Sequence, residues 1–200
     1  MRKYFVLPIL LLLAICSALA QEFPKVETAP AFMYVRTPIA GQSFNCAGAG
    51  GTLAYNLTSL FGIAADLGGC KIFGNTLGLN NKVHGNEFTY LFGPRITFRS
   101  SSPFRPFLLV NLGGTRLSLT CQTGTSCNGS TFSKSAFALT AGGGFDIKMN
   151  QKISLRAVQA EYLYTRFGND CPLTFCTQNN NQNSFRLKSG IVIAWGGANF

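Results

Sequence analysis

Charge is scarce in this sequence. Only 12% of its 200 residues are Asp, Glu, Lys or Arg, about half the share of an ordinary soluble domain. Acid is scarcer than base: 7 carboxylates stand against 17 Lys and Arg, a formal net charge of +10. The bases are scattered without a Lys/Arg cluster, which argues against a nucleic-acid partner. A single histidine, His84, and no Cys-x-x-Cys pair argue against a metal site, and no cofactor is implied. Beyond the N-terminus no segment offers the roughly 20 consecutive apolar residues of a membrane-spanning helix. Yet the mean hydropathy is positive. A secreted chain poor in polar residues and without spanning helices has the bulk composition of a transmembrane β-barrel.

Secretion is read from the first residues. Arg2 and Lys3 precede an apolar run from Tyr4 to Ile15, and Ser17-Ala18-Leu19-Ala20 leads into Gln21. This is the charge, apolar stretch and small-residue cleavage site of a signal peptide over 1–20. The run is about 12 residues, too short to span a bilayer, which disfavours a signal anchor. Lipoprotein processing at Cys16 is disfavoured by Ile15, where a small residue is expected. The mature chain, 21–200, fits one domain. Without Arg2 and Lys3 its net charge is +10 less 2, or +8.

What the mature chain has in quantity is alternation. In 88–99 every even position is apolar or aromatic (Phe88, Tyr90, Phe92, Pro94, Ile96, Phe98). The odd positions are small or polar, including Arg95 and Arg99, with Leu91 the exception. A period of two means a strand with two unlike faces. Similar patterns occupy 60–70, 136–149 and 185–195, and noisier ones 104–118 and 153–166. The last shifts phase between Arg156 and Gln159, the mark of a bulge. With 30–37 and 47–57 this makes eight strands, about 22 residues for each strand and its connection, where a membrane strand needs 9–11. Tight connections are predicted at 57–60, 100–105 and 149–152, and long polar ones at 38–46, 71–86, 119–134 and 168–184. Short turns opposite long loops are the arrangement of an eight-stranded antiparallel up-and-down transmembrane barrel. Laid on such strands, Phe61, Phe98, Phe104, Phe145 and Trp195 gather at the short-turn end. Phe88, Tyr90, Phe137, Tyr162, Tyr164 and Phe185 gather at the other, giving two aromatic belts. The competing architecture is a secreted soluble β-sandwich or lipocalin-like binder with an aromatic core. Its outward face would then hold more Lys and Glu than is found.

If the aromatic face is outside, the charges are inside. A base facing lipid at mid-bilayer costs roughly 2–4 kcal/mol, so Asp66, Asp146 and Glu161 are expected to pair in the lumen with Arg95, Arg99, Lys148, Arg156 and Arg186. An eight-stranded barrel is just wide enough to be filled by its own side chains, so a plugged interior is favoured over an ion path. The glycines of Gly142-Gly143-Gly144 sit within alternation, so they relieve crowding rather than cradle a phosphate.

The six mature cysteines, Cys46, Cys70, Cys121, Cys127, Cys171 and Cys176, allow 15 pairings. All lie in or beside the long connections. Topology favours 46–70 across a hairpin and 121–127 and 171–176 within loops. Closures this short stabilise modestly and would serve to pin the loops. His84, near Asn86 and Glu87, could act as a base on lipid at the rim, but no serine stands at a persuasive spacing, so no catalytic residue is assigned.

Taken with the signal peptide, several segments resemble the small outer-membrane β-barrel family with an OmpA/OmpX-like eight-stranded domain. They are Thr89-Tyr90-Leu91-Phe92-Gly93-Pro94-Arg95, Pro106-Phe107-Leu108 with Gly113-Gly114, Ala141-Gly142-Gly143-Gly144-Phe145-Asp146, and Gln159-Ala160-Glu161-Tyr162 with Thr165-Arg166-Phe167. The resemblance implies a bacterial outer-membrane location and insertion by the outer-membrane assembly machinery, which favours a C-terminal aromatic; Phe200 is aromatic but lies out of phase with Trp195 and beyond Gly196-Gly197. A monomer with a structural or surface-interaction role through its loops is expected, and the excess of base suggests outer-membrane lipids, including lipopolysaccharide, as partners at the barrel rim. The alternatives are a rim-acting lipid-modifying enzyme and the soluble binder described above.

Overall fold

A computed structural model describes residues 23–39, 42–77, 81–123, 131–168 and 181–196. Eight strands follow in chain order: β1 (Val26–Ile39), β2 (Gln42–Asn56), β3 (Phe61–Leu77), β4 (Asn81–Thr97), β5 (Phe104–Thr123), β6 (Thr131–Lys148), β7 (Ile153–Arg166) and β8 (Asn181–Trp195). Each pairs antiparallel with the next, and β8 returns to β1, so the sheet closes into a barrel. Closure removes both sheet edges and satisfies the backbone between strands.

Three tight turns at one end follow from their side chains. Thr58 Oγ1 accepts from the amides of Leu60 and Phe61 at 3.2 and 2.9 Å. Ser102 Oγ accepts from the Phe104 amide at 3.2 Å. Asn150 Oδ1 accepts from the amides of Lys152 and Ile153 at 2.9 and 2.7 Å. Short polar side chains that bond the backbone two or three residues on favour turns over continued ladder. These turns fall within or beside the predicted ones.

The opposite, outer end departs from expectation. The predicted long connections at 38–46 and 71–86 are mostly strand: β1 runs to Ile39 and β2 begins at Gln42, while β3 runs to Leu77 and β4 begins at Asn81. β5 likewise extends through Thr123. Hydropathy alternates only where one face meets lipid. Above that level both faces can be wet, the period-two signal fades, and a ladder reads as polar loop.

In the wall, alternation sets the faces. The register shift between Arg156 and Gln159 moves the lumen-facing set of β7 from even to odd positions, so that Arg156, Gln159 and Glu161 are all buried. Midway along the wall the outward side chains are apolar: Phe92, Leu108, Leu112 and Ile191 are each at least half exposed. Phe61, Phe98, Phe104 and Trp195 are exposed toward the turn end, and Phe88, Tyr90, Phe137, Tyr162 and Phe185 toward the outer end. Phe88 and Phe98 are ten residues apart on one chain segment. At ~3.3 Å per residue and a strand tilt of ~40°, that is a height of about 25 Å, the apolar band of an outer membrane.

Candidate functional site

The lumen is built in two zones. Toward the turn end it is ionic. Arg95 donates to Glu27 at 2.8 Å and to Asp146 at 3.2 Å. Arg156 Nε donates to Asp146 at 2.8 Å, and Arg99 reaches Glu27 at 2.7 Å. Higher up, Arg186 pairs with Glu161 and with Asp66, the latter at 3.2 Å. Lys188 Nζ donates to Asp66 at 2.6 Å, and Thr52 donates to the same carboxylate at 2.9 Å. Gln159 links the two clusters: Arg156 donates to its Oε1 at 2.8 Å, and its amide donates to Glu161.

The guanidinium groups of Arg95 and Arg156 both lie against the Phe107 ring, 4.6 and 4.5 Å from its centre. The ring faces carry negative potential and attract both cations, while Asp146 Oδ2 accepts from both at 3.2 and 3.1 Å. Glycine makes the space. A Cβ on Gly142 would lie 2.7 Å from Glu161 Cα, and one on Gly144 would lie 2.8 Å from Gln159 Cα. The β6 glycines therefore let β7 bring its polar side chains into the lumen.

Toward the outer end the lumen is apolar. Met33, Val35, Ile72, Leu91, Ala138 and Leu163 are buried together with the Cys46–Cys70 disulfide. Leu91, the exception to alternation in β4, belongs to this layer. The disulfide joins residues on paired strands, Cα atoms 5.5 Å apart, and both residues are buried. It ties β2 to β3 within the ladder instead of pinning a loop. Cys121 lies two residues before the end of β5, in register with Val83; Cys127, Cys171 and Cys176, and with them the pairs 121–127 and 171–176, lie outside the described residues, as does Phe200.

Of the residues predicted for the charge network, Asp66, Arg95, Arg99, Asp146, Arg156, Glu161 and Arg186 meet in these contacts. Lys148 is half-buried at the turn end of β6. Two members escape the prediction. Glu27 lies in the part of β1 that precedes the predicted strand 30–37. Lys188 has the parity of Arg186, and that parity was the available signal. His84 and Glu87 occupy opposite faces of β4: His84 is exposed, while Glu87 accepts from Thr115 at 3.1 Å. The barrel wall thus separates the base from the carboxylate. Glu87 does lie near the sulfurs of Cys46 and Cys70, but a disulfide offers no thiolate to a metal.

A closed antiparallel barrel, apolar and ringed with aromatics outside and ionic inside, defines the class: an integral membrane protein that crosses the bilayer with strands. The sequence matches the outer membrane protein β-barrel domain family over residues 9–190, and the chain belongs to that family. Comparison with curated proteins gives no match. Among solved structures the chain is similar to Neisserial surface protein A, with 14% identity and a TM-score of 0.59, covering 86% of this chain and 97% of that one. It is also similar to Ail, the attachment invasion locus protein of Yersinia pestis, with 13% identity and a TM-score of 0.55, covering 84% and 98%.

Proposed function

We propose that this chain, after removal of residues 1–20, is a monomeric barrel of the bacterial outer membrane with a structural or surface-contact role exercised at its outer end. In this reading it is no enzyme, and its lumen is closed to ions. The observation that carries it is the division of side chains by the wall: an aromatic-bounded apolar band outside and compensated charge inside. The ionic zone spends its guanidinium groups on internal carboxylates, and the layer of Met33, Leu91 and Leu163 lies across the outer half of the lumen. A side-chain-filled eight-stranded barrel leaves no aqueous path. Contacts with other molecules then fall to the outer ends of the strands and their connections. The partners proposed are outer-membrane lipids, including lipopolysaccharide, and, during insertion, the outer-membrane assembly machinery. Ail has been crystallised with sucrose octasulfate, a heparin analogue, and a polyanion is a reasonable class of ligand to try on a basic barrel.

The test is reconstitution. The folded chain should migrate faster in unheated than in heated detergent gels, and in planar bilayers it should give no stable large conductance. A stable pore would overturn the closed lumen. Solubility of the folded chain without detergent would overturn the membrane reading.

A further inference from the structure

Charge is sorted by face as well as by sign. Among the described residues all five carboxylates, Glu27, Asp66, Glu87, Asp146 and Glu161, occupy lumen-facing positions. Among the residues whose side chains are described, the exposed outward bases at the outer end are Arg36 on β1, Lys71 on β3, Arg116 on β5 and Arg166 on β7. Register places them at the outer aromatic belt. Arg36 is opposite Phe185, Arg116 opposite Phe88, and Arg166 opposite Phe137. Lys71 is two residues beyond Gly69, which is opposite Phe88. Aromatic belts mark headgroup level, so these cations stand where lipid phosphates lie.

One pair of them has an additional feature. Arg36 is opposite Asn45 and Lys71 opposite Ala47, on either side of β2. Strand spacing and the two-residue offset put their Cα atoms about 12 Å apart, within reach of one headgroup for two long side chains. Nearer mid-bilayer, the same face holds a shallow groove of about 420 Å³ lined by Pro30, Gly51, Leu53, Ala65 and Leu67. Pro30, Gly51 and Leu67 are in register with one another across the three strands. Leu67 is four residues below Lys71, about 10 Å of barrel height.

We propose that the β1–β3 face binds a phosphorylated lipid of the outer leaflet, its phosphate at Arg36 and Lys71 and an acyl chain in the groove beneath. The proposal rests on the outer-membrane reading above and specifies a site within it. Charge complementarity selects an anion, because the described outer surface presents bases and no carboxylate. The groove selects a lipid over a soluble polyanion, since a sulfated glycan would use the bases and leave the apolar groove unfilled.

The probe is lipopolysaccharide, compared with its phosphate-stripped form, and the readout is lipid retained by the folded full chain in native mass spectrometry. Arg36→Gln with Lys71→Gln should lower retention about tenfold or more, as expected for two interfacial bases. Arg116→Gln with Arg166→Gln should leave it within about twofold, as a pair remote from the β1–β3 face. Phosphate-stripped lipid should bind the unaltered chain as weakly as intact lipid binds the first double variant. Gly51→Leu tests the groove, because a Cβ there meets nothing closer than 3.6 Å, so the side chain fills the groove without disturbing the ladder; it should weaken retention several-fold.

Unchanged retention in the first double variant, or equal losses in both, overturns the site. Unchanged retention in Gly51→Leu overturns the acyl seat. Displacement of the lipid by a sulfated polysaccharide, equal in the unaltered chain and Gly51→Leu, assigns the bases to a glycan and also overturns the proposal. Gel migration of each variant separates the levels. Heat-dependent migration with unaltered lipid binding defeats this inference alone, whereas its loss in the unaltered chain defeats the outer-membrane reading.

Discussion

Arg186 has no exposed surface and touches two carboxylates, Glu161 and Asp66. A buried pair contributes little net stability when formed, but removing one partner strands the other in low dielectric. Arg186→Met should therefore destabilise the barrel by about 3–5 kcal/mol, read from urea unfolding in lipid vesicles. Adding Glu161→Leu should recover part of that loss, and simple additivity of the two losses would contradict the pairing. Asn111 is the opposite case: it is fully buried, and both polar atoms of its amide lack a protein hydrogen-bond partner. Asn111→Leu should leave stability unchanged or raise it, since it removes an unmet polar group of about 1–3 kcal/mol cost; a loss of that size in the same assay would show a hidden partner. Most of the ionic cluster is legible in the sequence, because period two assigns Asp66, Arg95 and Asp146 to the face opposite the aromatics. Phe107 is harder to read: it is an aromatic on the polar face, and its contact with two guanidinium groups comes from the meeting of three strands.

The strands continue past the bilayer, and that distinguishes this fold from its sequence pattern. β5 has 20 residues, where about 9–11 suffice to cross. The Cys46–Cys70 bond lies in the outer half of the β2–β3 ladder, inside the apolar layer. Cys46→Ala with Cys70→Ala should lower stability by up to about 3.5 kcal/mol, the chain-entropy value for a closure with sequence separation 24. An unchanged urea midpoint would mean that the ladder alone holds the hairpin. On the lipid face the expectation is harsher: Val110→Arg should cost about 2–4 kcal/mol in bilayers, whereas His84→Ala, at an exposed position outside any described site, should change neither stability nor membrane lipid composition. Tight turns are legible because Thr58, Ser102 and Asn150 act locally. The extended outer ladders are not, because cross-strand hydrogen bonds hold them and residues such as those of 81–86 carry no one-sided apolar signal.

As a whole the molecule is a cylinder whose wall sorts residues by solvent. Aromatics mark the two interfaces, charge is neutralised within, and the excess positive charge appears outside and at the ends. Eight strands and their antiparallel order are read from the period of two and from the connections, and the facing of β4 from the two aromatic belts and the scarcity of charge on its other face. The two-zone lumen is not, because it depends on which strands stand opposite across the barrel. The central claim is the direction in which β4 faces. It is tested by moving the chain's single tryptophan. With Trp195→Phe as background, tryptophan is placed by Phe92→Trp or by Leu91→Trp, and each protein is folded into vesicles of brominated lipid. The account predicts strong quenching of fluorescence at position 92 and little at 91. Strong quenching at 91 with little at 92 would turn the barrel inside out and contradict it.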